Sequence, residues 1–164
     1  MEISIQELEG LAFAPFGEVI EAPSHEPDAT GPDWQWWAEL DALPSSDRPY
    51  GIGYLQLRPG VLQFDWAERH MRSMEMLIPL GGDCLVYVGP PDHPNEPGRR
   101  PNLERFQVFR VRQGQAVILR QGVWHGAPLA PDGPLAVIVL LLQGTGREDT
   151  SLARFTETPV TIKQ

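Results

Sequence analysis

Two widely separated stretches hold the side chains of this sequence best suited to chemistry. The first, ERHMRSMEMLIPLGG at residues 68–82, carries Glu68, His70 and Glu75, and the second, GQAVILRQGVWHG at residues 114–126, carries His125. Imidazole nitrogen and carboxylate oxygen together suit a divalent ion that keeps positions open for substrate; nickel, manganese, zinc and iron all accept such donors. Glu68 and His70 are two apart at what reads as the end of a strand, so alternation puts them on one face and Arg69 on the other. Glu75 lies five residues beyond His70, across a short turn, where the next strand can return its carboxylate to the same side. His125 comes from a distant strand, and Gly122 lets the backbone turn closely before it. Taken singly, Glu68 and His70 read equally well as solvated residues near a turn.

The remaining candidates carry less. His25 and His93 sit in proline-rich loops and read as solvated. Trp34, Trp36 and Trp37 read as core or dimer packing, with a pocket wall as the alternative, and Trp124 as packing for its strand. Arg110 and Arg112 share a strand face, and Arg120 lies inside the second stretch. Each of these arginines can hold a substrate carboxylate by a bidentate contact.

The elements that must position these groups are strands. Sixteen glycines and seventeen prolines punctuate the chain into short segments, the pattern of a sandwich or barrel. Residues 53–57 and 61–66 flank Pro59-Gly60 and predict a hairpin; residues 74–80 and 84–88 flank Gly81-Gly82-Asp83 and predict another. Strands are expected at 106–111, 116–119 and 135–142, and the last, LAVIVLLL, is continuously apolar, as for a strand buried on both faces. A weak amphipathic pattern predicts a helix over 5–13. Residues 89–105, with five prolines, predict one long exposed connector. No internal repeat is present.

Composition narrows the partners. The formal net charge of −9 argues against nucleic acid, which draws on a basic face. The single cysteine, Cys84, has no internal disulfide partner, and MEISIQELEG lacks the basic and apolar regions of a signal peptide. The longest apolar run, residues 135–142, is far short of a membrane span. These features predict a soluble cytoplasmic protein of one domain, residues 1–164, with neither a nucleic-acid nor a membrane partner.

The second stretch resembles the second motif of the cupin superfamily, G-x5-P-x-G-x2-H, with Arg120 at the proline position; the first, H-x4-E running into Gly-Gly, resembles the tail of the first motif. The resemblance implies an all-β chain folded as a single cupin-type double-stranded β-helix, or jelly-roll barrel. On that pattern Glu68, His70, Glu75 and His125 become four inward-facing groups around one pocket. EGLAFAPFGEVIEA at residues 9–22, ERH…IP, GQAV and VWHGAPL narrow the likeness to the ureidoglycolate lyase (ureidoglycolate hydrolase) family. Membership implies cleavage of (S)-ureidoglycolate to glyoxylate and urea, late in allantoin and purine breakdown, by a homodimer acting on a small oxyacid. A divalent metal would be held by His70, Glu75 and His125, with Glu68 a fourth ligand or the catalytic base. The sequence departs from the family at TGPDWQWWAEL, at Ile118 and Leu119, and at Leu142-Gln143, where polar residues are usual. The alternatives are another metal-dependent cupin enzyme, an oxygenase or isomerase on a small oxyacid, or a non-catalytic small-molecule-binding cupin.

Overall fold

The structure, a computed structural model, describes residues 1–96 and 98–163, so Pro97 of the long connector lies outside the described residues. Strand β1 (Glu2–Glu7) leads through one helical turn, α1 (Gly10–Phe13), into β2 (Gly17–Ile20). A two-stranded hairpin follows, β3 (Ala29–Thr30) with β4 (Gln35–Trp36), and then β5 (Tyr50–Leu57), β6 (Gln63–Phe64) and β7 (Trp66–Arg69). Strands β8 (Glu75–Leu80) and β9 (Cys84–Gly89) precede the connector, and β10 (Gln107–Val111), β11 (Ala116–Leu119) and β12 (Trp124–His125) follow it. The chain closes with β13 (Leu135–Leu142), the helical turn α2 (Thr145–Glu148), β14 (Ser151–Arg154) and β15 (Val160–Lys163).

Two sheets result, ordered β14-β7-β12-β9-β10-β1-β15-β6 and β2-β11-β8-β13-β5. They curl against each other as the jelly-roll barrel that the cupin resemblance implies. Between them lies one core, in which Leu77, Val117 and Val137 from the smaller sheet meet Val86, Val88 and Phe109 from the larger. The back of the larger sheet carries a second core, where Phe64 stacks on Tyr87 at 4.0 Å beside Phe106, Trp124 and Ile162. Each such side chain contributes roughly 1.5–3 kcal/mol by leaving water, so these two clusters dominate the stability of the fold. Strand β9 is consequently buried along its whole length, on both faces.

Several local expectations change. Pro59-Gly60 and Gly81-Gly82-Asp83 do turn the chain, but neither closes a hairpin. Strand β5 pairs with β13 and β8 with β11 and β13, while β6, β7 and β9 belong to the other sheet. Both turns are crossings between sheets. Of the helix expected over 5–13 only the turn Gly10–Phe13 forms; residues 5–7 belong to β1, which is claimed by β10 and β15, on either side of it. In β13 only Leu135, Ala136 and Val137 are buried; Ile138 to Leu142 are half-buried, with Ile138 and Leu140 on the outer face and Val139 against the core.

Arg69 points away from its neighbours Glu68 and His70, as alternation predicts, and is only 1% exposed. Its guanidinium donates to the carbonyls of Asp92 (2.7 Å), His93 (3.2 Å) and Glu96 (3.2 Å) and lies 4.5 Å over the Trp124 ring. The indole N–H of Trp124 donates in turn to the Asp92 carboxylate at 3.2 Å. Arg69 therefore pins the connector to the back of the strands that carry the two histidines. Arg69→Ala removes a buried donor from three part-buried hydrogen bonds and is expected to cost roughly 3 kcal/mol, about 10 °C in Tm. Urea unfolding checks this, and a loss below about 1 kcal/mol would show that the connector holds without Arg69.

Candidate metal centre

The groups singled out by their spacing meet inside the barrel. Glu68 on β7 pairs directly with His125 on β12, and His70 follows one residue after β7 ends. Glu75 opens β8 in the opposite sheet, so the cluster spans both layers. Close backbone approach makes this possible. Gly122 has a φ of +80°, and its N–H donates to the His70 carbonyl at 2.7 Å, tying the second stretch to the first. At Gly126, a Cβ would sit 1.7 Å from the Tyr87 hydroxyl oxygen, so only glycine lets β12 leave the site past that ring.

Both imidazoles are oriented from behind. His70 Nδ1 donates to the Asp149 carbonyl and His125 Nδ1 to the Val123 carbonyl, each at 2.9 Å, since a carbonyl only accepts. The two Nε2 atoms then face one carboxylate oxygen, Oε2 of Glu75, at 3.2 and 3.1 Å. A bare nitrogen cannot donate to a carboxylate, so a ring facing Glu75 hydrogen-bonds to it only when it carries a proton on both nitrogens. The electrostatics agree. Burial alone would raise the Glu75 carboxyl, but His125 and His70 outweigh it and hold it at about 2. Burial opposes charging of His125, yet the adjacent Glu75 carboxylate raises its pKa above the ordinary 6.5.

A divalent ion can take the place of such protons between the same atoms. Donors about 2.1 Å from an ion and at right angles to each other lie about 3 Å apart, close to the spacing of Glu75 Oε2 from each Nε2. Glu68, His70 and His125 also offer one ligand atom each, all within 4.8 Å of one another. The donor set thus fits a metal, with the two histidines common to both groupings and the two carboxylates on either side.

The signs of the shifts give a stability prediction for the metal-free protein. Glu75, depressed on folding, stabilises above its unfolded value near 4.5 and loses that contribution as the pH falls toward 2. His125, raised on folding, stabilises fully below 6.5 and loses that contribution as the pH rises through its folded value. With metal chelated away, Tm is expected to be highest between about 4.5 and 6.5 and to fall by a few degrees on the alkaline side. Glu75→Gln should flatten that alkaline limb. A limb that persists unchanged in Glu75→Gln would assign it to other groups.

The expected substrate arginines are placed elsewhere. Arg110 pairs with Asp132 at 2.9 Å and approaches Asp83, Arg112 pairs with Glu7 at 2.7 Å, and Arg120 is bound to Glu18 and to the Ala14 carbonyl. None of the three hydrogen-bonds to the cluster among the described residues. Each is already neutralised by an acidic partner that spacing along the chain does not reveal. Trp34 and Trp36 are more than half exposed rather than core residues. The two apolar departures in β11 also separate. Leu119 lies opposite Glu75 on the core side, whereas Ile118 points to the outer face beside Met76.

The structure adds Asp149, for which no local signal existed. Its carboxylate accepts the backbone N–H of Met71 (3.0 Å) and Arg72 (2.8 Å) while its carbonyl orients His70. Thr150 supports the same imidazole nitrogen at 3.4 Å, and Arg72 binds the Asp149 carboxylate from the solvent side at 3.5 Å.

Comparison with known proteins shows the family. The sequence profile of the family described as Ureidoglycolate lyase matches residues 1–163. A ureidoglycolate lyase of Rhizobium etli is 30% identical over 167 aligned residues, covering 99% of this chain and 96% of the relative. One from Azotobacter vinelandii is 32% identical over 133 residues, covering 78% and 77%. Among solved structures, a dTDP sugar isomerase from Desulfovibrio desulfuricans G20 overlays with a TM-score of 0.46 at 18% identity, covering 85% of each chain.

Proposed function

The chain belongs to the ureidoglycolate lyase family, and we propose that it cleaves (S)-ureidoglycolate to glyoxylate and urea in a metal-dependent reaction of allantoin and purine breakdown. The observation that carries this reading is the pair of back-oriented imidazoles whose Nε2 atoms converge on one buried carboxylate. His70, His125 and Glu75 would hold a divalent ion, and Glu68 is the catalytic base beside them. A bound divalent ion would polarise the carboxylate and hydroxyl oxygens of the substrate and lower the hydroxyl pKa.

The residues do the rest. Glu68 accepts the hydroxyl proton; the O–H electron pair forms the aldehyde C=O, and the C–N bond breaks with its electrons on nitrogen. Glu68 then returns the proton to that nitrogen, so urea leaves neutral and glyoxylate stays behind. Val88, Leu119 and the rest of the core between the sheets exclude bulk water from one side of the pocket. The assignment extends to a homodimer working in the cytoplasm, where the buried thiol of Cys84 stays reduced, and to residues 1–164 as one cupin domain.

The test is metal analysis of the purified protein, followed by urea and glyoxylate release from ureidoglycolate. Turnover should be clear and equimolar in the two products. Background turnover here, with clear turnover of another hydroxy or keto acid, would overturn the substrate assignment. Oxygen uptake with iron would overturn the lyase chemistry.

A further inference from the structure

The smaller sheet has an apolar outer face that is covered at β11, where Ile118 is buried, and open toward β5. The register of β13 sets Ile138 between Tyr54 and Ile78, and Leu140 between Ile52 and Met76. These are the alternate positions to Leu135 and Val137, which face the core, so all six side chains point outward. Ile52 is 78% and Tyr54 66% exposed, on β5, whose other edge is unpaired among the described residues. No charged residue interrupts these rows across β5, β13 and β8, in a chain whose net charge is −9. An uninterrupted apolar face of this kind marks an interaction site.

We propose that a second copy of this chain covers that face, sheet against sheet, across a two-fold axis. The inference rests on the homodimer reading above and assigns its surface. Surface area supports the occupant: a folded monomer of 18.3 kDa exposes about 8,100 Å², whereas this chain exposes 9344 Å². The excess, about 1,200 Å², is more than the roughly 800 Å² that each partner buries in a standard interface. Apposing two such faces brings no like charges together in the central rows, which matters for two copies that are each strongly acidic. The face is also preorganised, since β13 and β5 pair along all eight residues of each strand. The competing apolar surface, the Trp34–Trp36 hairpin, rests on two strands of two residues each.

Light scattering during size exclusion, at micromolar concentration, tests this. The wild-type mass should be near twice 18.3 kDa. The double variant Ile52→Glu/Tyr54→Glu should weaken association at least about 100-fold and run as a monomer, because it buries charge without partners. Both sites are open in the single chain, so circular dichroism and metal content should stay those of the wild type. Trp36→Glu should leave the dimer intact. A wild type that is already monomeric would overturn the homodimer and this surface together. A dimer that survives in the double variant, or that dissociates only in Trp36→Glu, would overturn this surface and leave the homodimer standing.

Discussion

His125→Ala is expected to leave the protein without its divalent ion, and His70→Ala to do the same. Removing an outer-shell group typically weakens a metal site 10–100-fold, so loss of a ligand itself should exceed about 100-fold. The barrel should survive both changes. The imidazoles face Glu75 and two carbonyls, not the apolar packing between the sheets. Some stability is lost in each variant, because Glu75 keeps only one of its two imidazole partners. Elemental analysis of protein purified under identical conditions gives the result directly. Wild-type stoichiometry in both variants would mean that the cluster is a buried ion pair and not a metal site.

Glu68→Gln should keep the metal and lose at least about 100-fold in kcat, the scale on which a general base contributes. Glu75→Gln should instead lose metal first, since Glu75 Oε2 is the atom within 3.2 Å of both imidazole nitrogens. The paired comparison separates the two carboxylates. Metal loss in Glu68→Gln would make Glu68 a ligand, in line with its ligand atom lying within 4.8 Å of those of the histidines. Wild-type rates and metal content in Glu68→Gln would leave it with neither role.

How far these roles were legible in the sequence depends on how local each one is. Strands 116–119 and 135–142 coincide with β11 and β13, because a run of apolar residues between turn formers needs little context. The Glu-x-His spacing put Glu68 and His70 on one face and Arg69 on the other, since alternation is a property of the strand itself. Pairing is different. Gly81-Gly82-Asp83 signals a turn equally well whether the next strand returns beside the first or crosses to the other sheet. Strand β1 could not be told from an amphipathic turn of helix, because both of its partners are remote in sequence. The same limit hid Asp149, whose contacts with Met71, Arg72 and His70 span nearly 80 residues. It also hid the acidic partners of Arg110, Arg112 and Arg120, and with them the reason those side chains are spoken for.

The place of β1 has a consequence for how the molecule is made. It runs parallel to both of its neighbours, β10 on one side and β15 on the other, so it joins no hairpin and has no partner nearby in the chain. During synthesis its apolar residues Ile3 and Ile5 precede both partners and wait unpaired until β10, and then β15, have been translated. Contacts of such long range close slowly, because the loop entropy is lost before the pairing is gained. The larger sheet is thus completed only when segments remote in sequence have met, and β1 keeps an open strand edge until β15 has been made.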